Sequence, residues 1–386
     1  MQDNDLGKET SYSDKPFEFT GKAMEFFSIW IVNVALTILT LGIYSAWAKV
    51  RTHQYFYGNT KLDDATFRYL ADPKQILKGR IIAFAFFMAY YFAGLISPIA
   101  AGIIFVFILL LIPALIVMSM SFRLRNSAYR NVKFDFNKNF KRAYLIFSMP
   151  VVFIGAYVFI ASQFQPEVTV DTNENAVLSI MIGVLPLLIL FLIPWWEFMI
   201  TQFKVLNSKY GDAALTFQAT TKDYFKMYAL VMLMPMLALA LIAVIASIII
   251  PMIGLSGVNP FDFSGLTVMT IPIVLIILLF YVWIFAYVQT KRTNLVFNNV
   301  NLNGHQLNSD LKVGYMMYLY FTNTIAMALT LGLMMPWAKI RTAKYKASVT
   351  SLTPAGNLGE FASMQLQNQS AIGEEIGEMF DMDLGF

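Results

Sequence analysis

Apolar blocks recur along the chain at 24–47, 81–99, 101–122, 144–163, 177–201, 227–251, 265–288 and 314–337, with polar connections between them. A helix crosses the ~30 Å hydrocarbon core of a bilayer with about 20 apolar residues, and most of these blocks reach that length. Pro98 and Gly102 mark a turn between the second and third blocks. The polar stretches 163–175 and 254–265 divide the fourth from the fifth and the sixth from the seventh, with the glycine, proline and acidic residues of loops. The pattern predicts an all-α polytopic membrane protein: six full spans in three hairpins, flanked by a shorter apolar segment at each end, with short strand-like cytoplasmic loops. A polar N-terminal segment (1–22), a repeat-built transmembrane domain (23–346) and an acidic C-terminal tail (347–386) are the expected divisions. The first 22 residues are polar and mixed in charge, unlike a cleavable signal peptide.

Composition narrows the function classes. The chain is 58% hydrophobic and 13% charged, against about 25% charged in soluble domains, which argues against a water-soluble enzyme, a DNA-binding factor or a disordered scaffold. With no cysteine there is no disulfide and no thiolate metal site, and His53 and His305 lack ligand spacing. No cofactor is expected. Nor is an enzyme, because no nucleophile–base pair, phosphate loop or dinucleotide fingerprint is present.

Charge placement adds orientation. Lysines and arginines gather at 49–80, 123–142, 204–226, 291–312 and 339–346, whereas the three intervening connections hold Glu167, Asp171, Glu174 and Asp262 and no Lys or Arg. Cations translocate poorly, so the basic loops are expected in the cytoplasm. Simple spanning by both end blocks would put Lys339, Arg341, Lys344 and Lys346 outside. A re-entrant hairpin turning at Leu41-Gly42 and at Leu331-Gly332 is the alternative to a full span.

The chain also repeats itself. Thr40-Leu41-Gly42-Ile43 leads through Trp47-Ala48-Lys49-Val50-Arg51-Thr52 to Tyr55; Thr330-Leu331-Gly332-Leu333 leads through Trp337-Ala338-Lys339-Ile340-Arg341-Thr342 to Tyr345, with identical spacing. Asn33 and Asn323 occupy matched places upstream. So many matches at one offset identify related copies. Weaker copies follow at Asn59-Thr60, Asn126-Ser127 and Asn207-Ser208, each ahead of two apolar residues spaced by one: Phe67 and Tyr69, Phe134 and Phe136, Leu215 and Phe217. A looser fourth copy runs Asn294, Phe297, Leu302, and Phe17-Glu18-Phe19 has the same alternation. Period-two aromatics in a short polar linker suggest a strand, with interfacial anchoring as the alternative. The expected cassette is a short cytoplasmic strand, a membrane hairpin, a basic exit and an Asn-led turn.

The signature T-L-G-[IL]-x-x-x-W-A-K-[VI]-R-T-x-x-Y, the turn Asn59 to Asp63 and the pair Phe67 and Tyr69 resemble the YjgN-type family of bacterial inner-membrane proteins. The resemblance runs from Phe17 to about Tyr345. It implies an inner-membrane location in a Gram-negative bacterium and supplies no catalytic residues.

Three groups are candidates for function. Asn33 and Asn323 are amides in apolar segments and either line a polar path or bond helix to helix. Glu197, beside Trp195 and Trp196, either forms an ion pair with Lys204 or another loop cation, or lies on a pathway. Trp47, Lys49, Arg51, Trp337, Lys339 and Arg341 are candidate contacts for lipid headgroups or another anion, with membrane anchoring as the plainer role. The expected partners are membrane lipids and not nucleic acid, because leaflet electrostatics account for the basic loops. The sequence leaves two functions: a small-molecule or ion transporter or channel between the first and last signature segments, or a non-transporting protein organising lipids or partner proteins through its basic cytoplasmic face. In the tail, Ile372, Ile376 and Phe380 share a helical spacing beside Glu374, Glu375 and Glu378, as in a short amphipathic helix docking on the basic cytoplasmic layer or a disordered solvated tail.

Overall fold

The computed structural model describes residues 13–162, 172–252 and 267–383; the connection tips 163–171 and 254–265 lie outside them. The chain opens with strand β1 (Lys15–Phe19) and the helical pair α1 (Ala23–Leu39) and α2 (Ser45–Gly58). Strands β2 (Thr60–Leu62) and β3 (Ala65–Tyr69) follow, then α3 (Pro73–Ile96) and α4 (Pro98–Arg125). The alternation continues with β4 (Ser127–Tyr129), β5 (Val132–Phe136), α5 (Phe140–Phe147), α6 (Met149–Ser162) and α7 (Thr172–Leu206). Next come β6 (Ser208–Tyr210), β7 (Ala213–Phe217), α8 (Thr221–Met252), α9 (Thr267–Phe297), β8 (Val300–Leu302) and β9 (His305–Ser309). The last elements are α10 (Val313–Leu329), α11 (Met335–Ser348), β10 (Thr350–Thr353) and α12 (Leu358–Asp383).

The expected all-α class is overturned. The short linkers are not isolated strand-like loops: ten strands pair antiparallel in sequence order, and β1 pairs with β10, so the sheet closes into a barrel. The alternation in each linker marks one strand, but its partners come from neighbouring cassettes, as in Phe67 opposite Tyr129 and Phe134 opposite Tyr210. No single linker carries that information. Among the described residues, three helical stretches are long and apolar enough to cross a membrane: Pro73–Ile96, Pro98–Arg125 and Phe140–Ser162. Most of their apolar side chains, such as Phe84, Leu95, Ile103 and Leu110, are exposed. A helix hydrophobic all round with no protein cover needs lipid around it.

Two local devices join helices to barrel. At four of the five helix exits an asparagine closes the last turn: Asn59, Asn126, Asn207 and Asn299 each donate from Nδ2 to the carbonyl four residues back, at 2.7–2.8 Å. These bonds use helix carbonyls that have no intrahelical donor. The same four asparagines accept at their backbone oxygens from Thr20, Leu70, Asn137 and Gln218, stitching each exit to the adjacent strand. The fourth copy of the repeat is therefore led by Asn299, not by Asn294, which instead bonds the backbone of Leu311 and the hydroxyl of Ser309. At the opposite end, two-residue turns reverse the strands. Asp63-Asp64, Arg130-Asn131 and Asn303-Gly304 have positive φ at both positions, the conformation that matches strand twist in tight hairpins.

The barrel interior is apolar and layered. Phe17, Phe67, Phe134, Leu215 and Leu307 form a middle layer, each paired across to one of Leu62, Tyr129, Tyr210, Leu302 and Leu352 nearer the turns. The two buried tyrosines keep their hydroxyls satisfied: Tyr129 donates to the Leu62 carbonyl and Tyr210 to the Tyr129 carbonyl. Burial pushes both phenols up, so they stay protonated donors. On the rim, Asp63 pairs with Lys15 at 2.9 Å and with Arg130 at 2.7 Å, which ties three strands together.

Helix α12 covers the turn-side mouth. Leu358 and Ala362 join the barrel core, and the Phe361 ring lies 6.0 Å from Tyr210 and 4.7 Å from His305. Gln365 Oε1 accepts from the backbone of Asp212 and Ala213, and Gln369 bonds both the N–H and the carbonyl of Lys133. Gly211 has φ +59°, and a Cβ there would fall 2.6 Å from Gln365 Oε1, so the helix needs glycine at this point. The side chains of Ile372, Ile376 and Phe380, farther along α12, are outside the described part. Above α12 an apolar cavity of about 180 Å³ remains in the barrel. Left empty, a core void of that size costs on the order of 4 kcal/mol at about 24 cal/mol per Å³.

The buried His305, packed on Phe361 of α12, should make the docking of that helix pH-dependent. The ring is 5% exposed, its Nδ1 accepts from the Ala355 N–H at 3.1 Å, and burial lowers its pKa from 6.5. A depressed histidine stabilises the fold fully above the unfolded value and progressively less as pH falls below it. Limited proteolysis should therefore release the C-terminal segment increasingly between about pH 7 and pH 5. His305→Asn, whose amide oxygen replaces the Nδ1 acceptor, should flatten that profile; the same pH dependence in both proteins would refute the assignment.

Candidate functional site

The two signature segments fold alike. Thr40 Oγ1 donates to Leu36 O and accepts from Tyr44 N; Thr330 Oγ1 donates to Ala326 O and accepts from Met334 N. Between these brackets the chain reverses through Leu41 (φ 49°) and Gly42 (φ 92°), and through Leu331 (φ 49°) and Gly332 (φ 89°). Each Leu-Gly is thus a helical hairpin tip: α1 and α10 leave the barrel, and α2 and α11 return to it. At 17 residues, α1 is about 25 Å long, too short to cross and return. Leu41 and Leu331 are each 95% exposed at the tips, which fits an apolar medium. At the base, the signature tyrosines hold the entry turns, Tyr55 bonding Lys22 N and Tyr345 bonding Lys312 N.

Helices α1 and α11 pack together, so the first and last hairpins are neighbours. Between them lies a groove of about 440 Å³ that brings together Asn33, Lys49 and Lys339 from the sequence candidates. Arg80 from α3 joins them and donates to the Ser45 hydroxyl; His53, Thr37 and Thr52 also line the groove. Among the described residues lining it, none carries a carboxylate. Sequence reasoning missed Arg80, because nothing in the repeat marks a residue that approaches from a third element, and His53, which falls at an unspecified position of the signature.

The matched asparagines differ in their surroundings. Asn323 donates to Ala338 O at 3.4 Å and to Thr342 Oγ1 at 3.2 Å, which bonds α10 to α11. Its counterpart Asn33 is 3% exposed, yet among the described residues neither Oδ1 nor Nδ2 has a partner. Thr52, the counterpart of Thr342, donates to Ala48 O.

The other candidates stand apart from the groove. Arg341 lies 5.0 Å above both the Trp337 and Tyr318 rings and donates to Thr322 Oγ1. Arg51 lies 5.9 Å from the Tyr44 ring, which stacks with Trp47 at 6.1 Å. Glu197 is buried between three helices: Arg292 Nε is 2.7 Å from its Oε1, and the Tyr228 hydroxyl donates to Oε2. Its partner is thus an arginine of α9 and not Lys204, and the trio clamps α7, α8 and α9. Removing one member of such a pair strands a buried charge.

Replacement by leucine should separate the two asparagines. Asn323→Leu loses bonds worth about 0.6–2 kcal/mol, whereas Asn33→Leu removes an unpaired buried amide and should leave stability equal or higher. Thermal melting of both variants in one detergent reads the difference; equal losses would mean that Asn33 is bonded as Asn323 is.

Comparisons with known proteins agree with the hydrophobic architecture. A family model described as "Bacterial protein of unknown function (DUF898)" matches residues 14–379. The chain is similar to Inner membrane protein YjgN of Salmonella typhimurium, at 24% identity over 91% of this chain and 90% of that protein. It is similar also to the protein of the same name from Escherichia coli K12, at 26% identity over 43% of this chain and 42% of that one. No solved structure matches.

Proposed function

The chain belongs to the DUF898 family of bacterial proteins, a membrane-protein family with inner-membrane relatives, and from that premise we propose a non-enzymatic, lipid-organising role. In this reading it is a multi-pass protein of the inner membrane whose barrel and basic helix ends face the cytoplasm. The groove between the signature hairpins holds anionic lipid headgroups. The carrying observation is the convergence of Lys49, Lys339 and Arg80, without a carboxylate, in the tip-side half of hairpins whose tips are apolar and exposed. With the apolar tips dipped into the cytoplasmic leaflet, cations one to two turns behind them meet its phosphates, each contributing about 1 kcal/mol. Outside the signature helices, Lys and Arg such as Arg125, Lys138, Lys204 and Lys222 sit where helices join the barrel, which supports the same orientation.

Transport between the signature segments is the weaker reading. A path between those hairpins would lead down onto a barrel packed with Phe17, Phe67, Phe134 and other apolar side chains. Glu197, the acidic residue within a helical block, is already engaged by Arg292 and Tyr228.

Lipid retention tests the proposal. Native mass spectrometry of the purified chain should find phosphatidylglycerol kept in preference to phosphatidylcholine. Lys49→Gln with Lys339→Gln should weaken that preference about thirtyfold, from two cationic contacts of about 1 kcal/mol each. An unchanged preference in the double variant would remove the groove from lipid binding.

A further inference from the structure

We propose that the barrel is a binding site for one acyl chain: a single-chain amphiphile enters from the helix side, its anionic head on Arg123 and its hydrocarbon end in the barrel cavity. This site is separate from the headgroup groove and shares no residue with it.

Three observations carry it. First, a pocket of about 360 Å³ lies at the helix-side mouth, between Phe56 and Tyr57 at the end of α2 and Arg123 and Leu124 at the end of α4. Second, that pocket and the inner cavity share the rings of Phe17, Phe67 and Phe134, so the middle layer is at once the floor of one and the roof of the other. These rings are the partition between the two spaces. Third, the opposite mouth is shut by α12, whose Phe361 lines the inner cavity, so the route ends blind. A blind, apolar space of about 180 Å³ with a mouth among lipid-facing helices suits the end of a flexible chain. It is slightly larger than the ~150 Å³ apolar cavity that stays dry and binds benzene. A helix or a loop of a partner protein is too wide for it, and a two-chain lipid would have to leave one tail outside.

The mouth has the polarity a head requires. Arg123 is exposed, and among the described residues no carboxylate is within salt-bridge distance of it. Beside it the Ser127 hydroxyl donates to the Arg123 carbonyl at 2.8 Å and accepts from the Tyr57 phenol at 3.3 Å, so the guanidinium is the free donor at the mouth. A guanidinium matches a carboxylate or a phosphate. The chemistry is therefore that of a fatty acid or a lysophospholipid.

The test uses the full chain in nanodiscs and a twelve-carbon fatty acid with a photoreactive diazirine at its methyl end. Labelling should fall on barrel peptides that contain Tyr129, Tyr210 or Phe361, and unlabelled laurate should compete for it. Leu307→Trp, which fills the cavity, should cut that labelling about tenfold. Leu352→Phe serves as a milder filling should the first variant fail to fold. Arg123→Gln should weaken labelling by the acid about fivefold and labelling by the matching alcohol little. A lysophospholipid that competes better than laurate would assign the head as a phosphate, and the converse as a carboxylate. Lys49→Gln with Lys339→Gln should leave the labelling intact, which separates this site from the groove. Labels confined to the outer faces of the helices, or undiminished by both cavity-filling variants, would overturn the proposal.

Discussion

A short strand cannot satisfy its own backbone, and everything else in this molecule follows from where ten such strands find their partners. Strands of three to five residues would leave two open edges if they formed a flat sheet, and open edges pair with whatever is near. Pairing Lys15 with Leu352 and Pro16 with Ser351 removes both edges at once. That closure brings the two ends of the chain together and sets α11 against α1. The groove between the signature hairpins is thus a by-product of ring closure, since its cations come from segments nearly 300 residues apart.

Closure also explains the form of the repeat. A ring of cassettes needs each helix to end where the next strand can begin. The asparagine at the exit does this with two bonds, its side chain closing the helix and its carbonyl accepting from the neighbouring strand. At the fifth position Val349 replaces asparagine; its carbonyl still accepts from Asp310, and Thr350 still bonds back to Lys346. The backbone half of the device is kept where the side-chain half is lost. Hairpin length above the barrel is under no such constraint, so short and long helical pairs share one base.

The cassette, the signature and the Leu-Gly turns were legible because each is local: a period of two, a fixed spacing, a residue pair that tolerates positive φ. The barrel was not. Its pairings run between cassettes, and five-residue alternations are equally compatible with interfacial anchors. Asn294 drew the fourth copy out of register because it precedes an aromatic residue as the true leader, Asn299, does not. The docking of α12 was hidden for another reason. Its contacts rest on Gln365 and Gln369, neutral side chains with no distinctive pattern, and on a glycine that reads as an ordinary turn. Of the groove, Asn33, Lys49 and Lys339 were visible through the repeat, whereas Arg80 belongs to a helix outside it.

Where copies diverge, the repeat itself becomes informative. Related segments fold alike unless something specific to one place intervenes, so a difference between matched residues isolates the part that the scaffold does not require. Asn323 bonds its own hairpin, and the identical fold around Asn33 proves that the hairpin forms without that bond. Likewise Tyr129 and Tyr210 fill the inner layer on one side of the barrel, while Leu302 and Leu352 leave the other side smaller, and the cavity lies among them. A ring of five equal cassettes would pack its interior evenly. This one combines bulky aromatic side chains with slighter aliphatic ones and keeps a space at its centre, which is the asymmetry a binding barrel needs.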